Sequence, residues 1–209
     1  MKEAFHGLLS EGEKSARHDV LAAVVLLQNP LSVTGIASLL DNGEARHDLS
    51  PFTSVIHLPS TDHDQVNIFH ASFREFIVDP DRCEAHGVDY TRGHQMLTIK
   101  CLQLLNNSLR RNICNLPEDG IGTLPHEIKD PVMISMALQY SCVHWAFHLL
   151  EASPGEPSTI LDCVSEFADK HLLHWFECLS AIGELESGVK SLRNAKEATL
   201  VSAPRGKEY

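Results

Sequence analysis

Ser54-Val-Ile-His-Leu-Pro-Ser-Thr-Asp-His-Asp-Gln-Val-Asn-Ile-Phe-His-Ala-Ser-Phe-Arg-Glu-Phe-Ile77 decides how the N-terminal part of this chain folds. Ser54 to Leu58 and Gln65 to Phe69 are short segments rich in β-branched residues. The polar cluster Pro59 to Asp64 separates them, a pattern that predicts a β-hairpin. The second segment runs straight into His70-Ala71-Ser72-Phe73-Arg74-Glu75-Phe76-Ile77. There Phe73, Phe76 and Ile77 fall at i, i+3, i+4 and predict a helix.

Upstream, Asp19 is placed to cap a helix running from Val20 to Leu27, which Asn29-Pro30 stops. Ser32 is placed to cap a second helix carrying Ile36, Leu39 and Leu40, and Asp41-Asn42-Gly43 supplies the next turn. Helix, helix, hairpin, helix is the content of a small winged-helix unit, predicted over residues 17–80 behind a flexible lead-in at 1–16. Downstream, Asp79-Pro80 to Tyr90 reads as a connecting loop. Gly93 to Ile113 is an amphipathic helical pattern built on Met96, Leu97, Cys101, Leu104, Leu105 and Leu109. Pro117, Gly120, Gly122 and Pro125 interrupt it. Helical patterns resume at Pro131 to Leu150, Thr159 to Leu179 and Glu184 to Glu197. The expected fold is mainly α, a winged-helix unit with a β-hairpin followed by an α-helical bundle over 92–196, with a flexible polar tail at 197–209.

Composition narrows the function classes. With 43% hydrophobic and 22% charged residues, the 209-residue chain lacks the signature of disorder. A formal charge of -11 opposes a phosphate backbone as main partner, because such binding is driven by Lys and Arg. The helix that would read DNA, Val33 to Leu40, contains neither. Cys83, Cys101, Cys114, Cys142, Cys163 and Cys178 include no Cys-x-x-Cys pair and read as reduced thiols. The longest apolar run, Val20 to Leu27, is too short to span a bilayer, and the first residues lack a signal peptide's apolar region. A cytoplasmic protein with no membrane or nucleic-acid partner is the expectation. No Gly-x-x-x-x-Gly-Lys-Ser/Thr phosphate loop occurs in the sequence, so the chain is not expected to hydrolyse nucleotide by itself.

Five phrases carry a family resemblance by their order. They are Asn29 to Leu40 with Ser54 to Pro59; Val66 to Ile77 with Asp79 to Cys83; Cys101-Leu102 with Asn112 to Leu116; Leu138 to Leu149; and His171 to Ser180. From about Asp19 to about Leu192 the series resembles the region that follows the NACHT ATPase domain in fungal STAND signalling proteins. In that family a NACHT ATPase precedes this region, repeats usually follow it, and the whole is a ligand-responsive switch. The resemblance implies a non-catalytic regulatory or interaction module. Its partner would be a NACHT module in trans or a second copy of itself, and ADP or ATP would enter only through that module. Such a chain would be a fragment, a truncated product or a stand-alone form. The winged helix in turn resembles that of plant disease-resistance and animal apoptosome proteins, where a His at the start of the last helix touches the β-phosphate of ADP. The matching position is His70, followed by Ala71 where many relatives have Asp.

Other constellations have plainer readings. His144 and His148, four apart on a helix, His171 with His174, and Cys83 with His86 have partial metal-ligand spacing. None supplies four convergent ligands, and packing around Trp145 and Trp175 accounts for the first two pairs. Arg110-Arg111 reads as the cationic end of a helix. No strand-turn-helix nucleophile elbow surrounds a Ser, so no catalytic residues are assigned. The rival readings are a winged-helix DNA-binding regulator, from fold analogy, and a decayed fragment that folds poorly.

Overall fold

A computed structural model describes residues 10–83, 87–115, 134–152 and 158–202. It is mainly helical, with one small antiparallel sheet among the described residues. The chain divides into two compact units, Met1–Met96 and Leu97–Tyr209.

In the N-terminal unit, α1 (Glu11–Leu26) starts well before the expected position, correcting the cap at Asp19 and the part of the lead-in from Ser10 to residue 16; residues 1–9 lie outside the described ones. Ser10 and Glu13 form a reciprocal capping box. The Glu13 amide donates to Ser10 Oγ at 3.3 Å, and the Ser10 amide donates to Glu13 Oε2 at 2.8 Å. That pairing satisfies two amides that would otherwise be unpaired, so the polar stretch before Val20 is the first half of a helix, exposed at its start and half-buried from Ala16 on. Its second half is apolar all round because every side chain from Val20 to Leu27 is buried. Leu27 leaves the helix in extended conformation, shortly before Asn29-Pro30.

The Ser32 hydroxyl caps α2 (Val33–Leu40) by accepting from the Gly35 amide at 3.1 Å. Asp41 ends it at φ 53°, a left-handed position that Asp tolerates. The short α3 (Ala45–Leu49) leads through a 3-10 turn, Ser50–Phe52, to β1 (Ile56–His57), which pairs with β2 (Asn67–Ile68). Each strand is two residues long where five were expected. The hairpin's inner groups are spent elsewhere: the Val66 amide donates to Leu31 O at 2.9 Å, and Pro59 has no amide to extend the ladder. The loop between the strands is fixed by the Thr34 amide on Asp62 O at 3.0 Å, the Arg46–Asp62 ion pair, and Arg46 Nη2 on Pro59 O at 2.8 Å. Buried Asp48 accepts from Asn42 Nδ2 at 3.0 Å and lies 3.7 Å from Arg17 Nε, tying α3 to α1. The unit continues through α4 (Ala71–Ile77), α5 (Pro80–Cys83) and the start of α6 (Tyr90–Ser108). Asp89 Oδ1 accepts from the Arg92 amide at 2.9 Å, which starts α6 before the expected Gly93. Gly93 itself lies against α1, where a Cβ would meet Leu26 Cδ1 at 2.4 Å.

In the C-terminal unit, α7 (Met136–Glu151) is capped by Ser135, whose Oγ accepts from the Leu138 amide at 3.2 Å. The start expected at Pro131 lies outside the described residues. A continuous rod follows: α8 (Ser158–Glu166), a π-helical turn Phe167–His171, and α9 (Leu172–Ala181). Buried Phe167 and buried Trp175 are eight positions apart. At 100° per residue that spacing overshoots one face by about 80°, and the wider π turn takes up the excess. Gly183, at φ 77°, closes α9 in the manner of a left-handed C-cap. Finally α10 (Leu185–Ser202) runs beyond the expected end at 197, correcting the start of the tail; residues 203–209 lie outside the described ones. Gly188 allows α10 close to α9, since a Cβ there would lie 2.5 Å from Leu179 Cδ1. The core centres on Trp145, Trp175 and Phe167. Their ring centroids lie 6.3 Å apart for the two tryptophans, and 5.0 and 5.7 Å from Phe167 to Trp145 and Trp175. Tilted and edge-on geometries of this kind favour aromatic contact. Among the described residues no helix is long and apolar enough to cross a membrane.

Candidate functional site at the hairpin-helix junction

His70 stands where β2 gives way to α4, in extended conformation at φ -140°, and is exposed. Its ring caps the helix: Nδ1 accepts from the Ser72 amide at 3.3 Å and lies 2.7 Å from Ser72 Oγ. A ring nitrogen that accepts from an amide carries no proton, so the neutral imidazole holds its proton on Nε2. Capping therefore fixes the tautomer and leaves an N–H that can donate to an anion. The Ser72–His70 distance also suits a nucleophile and its base. Among the described residues, however, no carboxylate is bonded to the ring, and Nδ1 is shared with the backbone amide in the geometry of a cap.

A cavity of about 290 Å³ opens beside the residue that follows His70, lined by Val24, Leu27, Pro30, Val66, Ala71 and Arg74, with Asn67 and Ile68 completing it. Ala71 contributes only a methyl group there. Arg74 reaches across to Leu27 O, 3.4 Å from its Nη2, and supplies the cation at this junction. Sequence reasoning passed over Arg74. Its signal was position, four residues after His70 and so on the same side of the helix. Phe69, exposed, stacks edge-on against His57 at 6.2 Å.

The other expected pairs are not brought into ligand sets, and no group of three metal-binding side chains converges among the described residues. His148 is buried, its Nε2 2.7 Å from the Tyr140 hydroxyl. His144 stacks on Tyr140 with centroids 4.6 Å apart, and burial pushes its pKa down to about 4. His171 Nδ1 lies 3.2 Å from Leu109 O, and its ring is 6.0 Å from that of His174. Cys83 Sγ donates to Phe76 O at 3.1 Å, while His86 lies outside the described residues. Arg110 and Arg111 follow the end of α6 and are exposed.

Cys83, Cys101, Cys142 and Cys178 are buried in the cores, while Cys114 and Cys163 are half-buried. Burial pushes the Cys101 thiol up to about 12. Cys142 and Cys178 place their sulfurs 3.6 Å apart, with Cys142 as donor, which raises the pKa of Cys142 and lowers that of Cys178. Comparisons with protein-family models, curated proteins and solved structures give no match to this chain.

Proposed function

We propose that this chain is a non-catalytic regulatory and interaction module of a NACHT-type STAND signalling protein, a winged-helix unit followed by a helical bundle. The observation that carries the reading is where the resembling phrases fall. Asn29 to Leu40 contains α2 with its Ser32 cap, Ser54 to Pro59 contains β1, and Val66 to Ile77 is β2 with α4. Leu138 to Leu149 lies inside α7, and His171 to Ser180 holds almost all of α9. The phrases thus coincide with core-building elements in both units. In this reading His70 donates its Nε2–H to the β-phosphate of ADP held by a NACHT module, with Arg74 adding charge from the next turn. One such contact cannot hold a nucleotide alone, so the partner module is required.

A DNA-binding regulator is the weaker reading. Val33, Gly35, Ile36, Leu39 and Leu40 of α2 face inward, and the helix exposes only Thr34 and Ser38. It offers a duplex neither cation nor bidentate donor.

The test is co-purification of the 209-residue chain with a NACHT module of the fungal STAND type. The expected result is a complex that persists in ADP and loosens in a non-hydrolysable ATP analogue, from a chain whose circular dichroism melts cooperatively. Turnover of ATP by the purified chain alone, or no complex in either nucleotide, would overturn the reading. A molten sample would favour the decayed fragment.

A further inference from the structure

The outward face of α10 repeats an apolar residue on successive turns. Leu185, Val189 and Leu192, at i, i+4 and i+7, are 48%, 50% and 39% exposed. The inward face holds Gly188, Ser191 and Ala198, all buried, with Ser191 Oγ donating to Val143 O at 3.1 Å. The orientation of the helix is therefore set, and its own unit leaves about half of the stripe's surface uncovered. Single exposed leucines are ordinary, but three aligned along one helix form a patch that a partner can cover.

The charges beside the stripe are ordered along the helix. Glu186 lies at its start, and Lys190, Arg193 and Lys196 follow. All four are exposed, and among the described residues none makes an ion pair within the chain, although Glu186 and Lys190 are four apart. With Glu186 and Glu197 against Lys190, Arg193 and Lys196, α10 carries a net charge of +1 in a chain of net charge -11. The general repulsion between copies is locally absent here.

We propose that this face joins two copies of the chain, their α10 helices antiparallel about a two-fold axis near the middle of the stripe. In that arrangement Val189 of each copy meets Leu192 of the other. Leu185 lies under the aliphatic stem of the opposing Lys196, whose ammonium reaches Glu186. The acidic start of each helix faces the basic stretch of the other, and the helix dipoles oppose favourably. A parallel arrangement would set Glu186 beside Glu186 and Arg193 beside Arg193. The charge order therefore selects both the occupant, a second copy, and its direction. This goes beyond the proposed function, taking up the second-copy partner that the family resemblance implies, and does not involve the NACHT contact.

Sedimentation velocity on the full 209-residue chain over a concentration series tests it. A reversible dimer is expected, and Leu192→Glu, which places a carboxylate in the dry centre, should weaken it at least about tenfold with unchanged circular dichroism. Glu186→Lys and Lys196→Glu should each weaken the dimer, and the two together should restore it. A chain that stays monomeric throughout, or a dimer indifferent to Leu192→Glu, would overturn the proposal. Charge reversals whose effects add instead of compensating would overturn the antiparallel pairing. Retention of a NACHT partner by the Leu192→Glu variant would separate failure here from failure of the nucleotide-switch reading.

Discussion

Under the proposed function His70 has two tasks, one for each ring nitrogen, and one substitution separates them. Nδ1 accepts from the Ser72 amide, a role Asp fills at least as well at a helix start. Asp cannot donate to a phosphate. His70→Asp should therefore leave the melting temperature unchanged or slightly higher, and weaken ADP retention in a NACHT complex by about tenfold, the loss of one charge-assisted contact. Equal ADP retention would remove His70 from the nucleotide site. The Tyr140 hydroxyl offers a test of internal order in the C-terminal unit. It lies 2.7 Å from the buried His148 Nε2, so Tyr140→Phe deprives a buried nitrogen of that partner while keeping the ring. A cost of about 1–3 kcal/mol is expected, read as a lower urea midpoint by tryptophan fluorescence. The chain's two tryptophans, Trp145 and Trp175, both lie in this unit, so emission reports it alone. The sequence pointed to His70 as a position but not to its tautomer, because which nitrogen caps depends on the path of β2 into α4. Arg74 was equally open to reading by spacing, yet its approach to Leu27 O is a long-range contact that no local pattern encodes.

Helices were recognised where an apolar face alternates with a polar one and a cap precedes it, as at Ser32. Boundaries were lost where a helix begins away from its core. The first half of α1 is polar and exposed to half-buried, so the clearest signal for its start was Ser10-x-x-Glu13. The strands were overextended because β-branched composition marks Ser54 to Leu58 and Gln65 to Phe69, while the partners of the Val66 amide and Thr34 lie in distant segments. The π turn left one trace, the eight-residue step from Phe167 to Trp175, which reads as irregularity until the rod is seen to be continuous. Two glycines test how closely these elements approach one another. At Gly188 a Cβ would lie 2.5 Å from Leu179 Cδ1 and 3.5 Å from Trp175, so Gly188→Ala must separate α10 from α9 or distort a packed leucine. Its gain in helix propensity is about 1 kcal/mol, against overpacking of about 1–3 kcal/mol. A net fall in the fluorescence-detected midpoint is expected. Gly43 has nothing within 4 Å of a Cβ, so Gly43→Ala should leave the circular dichroism melt unchanged or slightly raised. A stabilised Gly188→Ala would mean that α10 is free to move away from α9.

Across the whole chain, acidity and histidine content set opposite tendencies on acidification. The net charge of -11 shrinks to zero near pH 5.5 as carboxylates and imidazoles take up protons, which relieves self-repulsion down to that pH, while any imidazole buried in neutral form resists. His144 is such a group: burial against Tyr140 is the main cause of its lowered pKa, with Lys190 adding to the shift and Glu184 opposing it. Unfolded, the ring takes its proton near 6.5; folded, it does so only near 4. Between those values the unfolded chain binds more protons, so this contribution to stability is full above about pH 6.5 and is lost progressively as the pH falls to about 4. The whole shift corresponds to roughly 3 kcal/mol, and partial exposure of the ring reduces the expected loss to about 2 kcal/mol. Urea titrations of the C-terminal unit by tryptophan fluorescence at pH 7 and at about pH 4 should show that loss. His144→Gln should lower stability at pH 7 and flatten the slope, because glutamine binds no proton in this range. A variant that kept the full pH dependence would assign the acid sensitivity to other groups and place the imidazole of His144 in water.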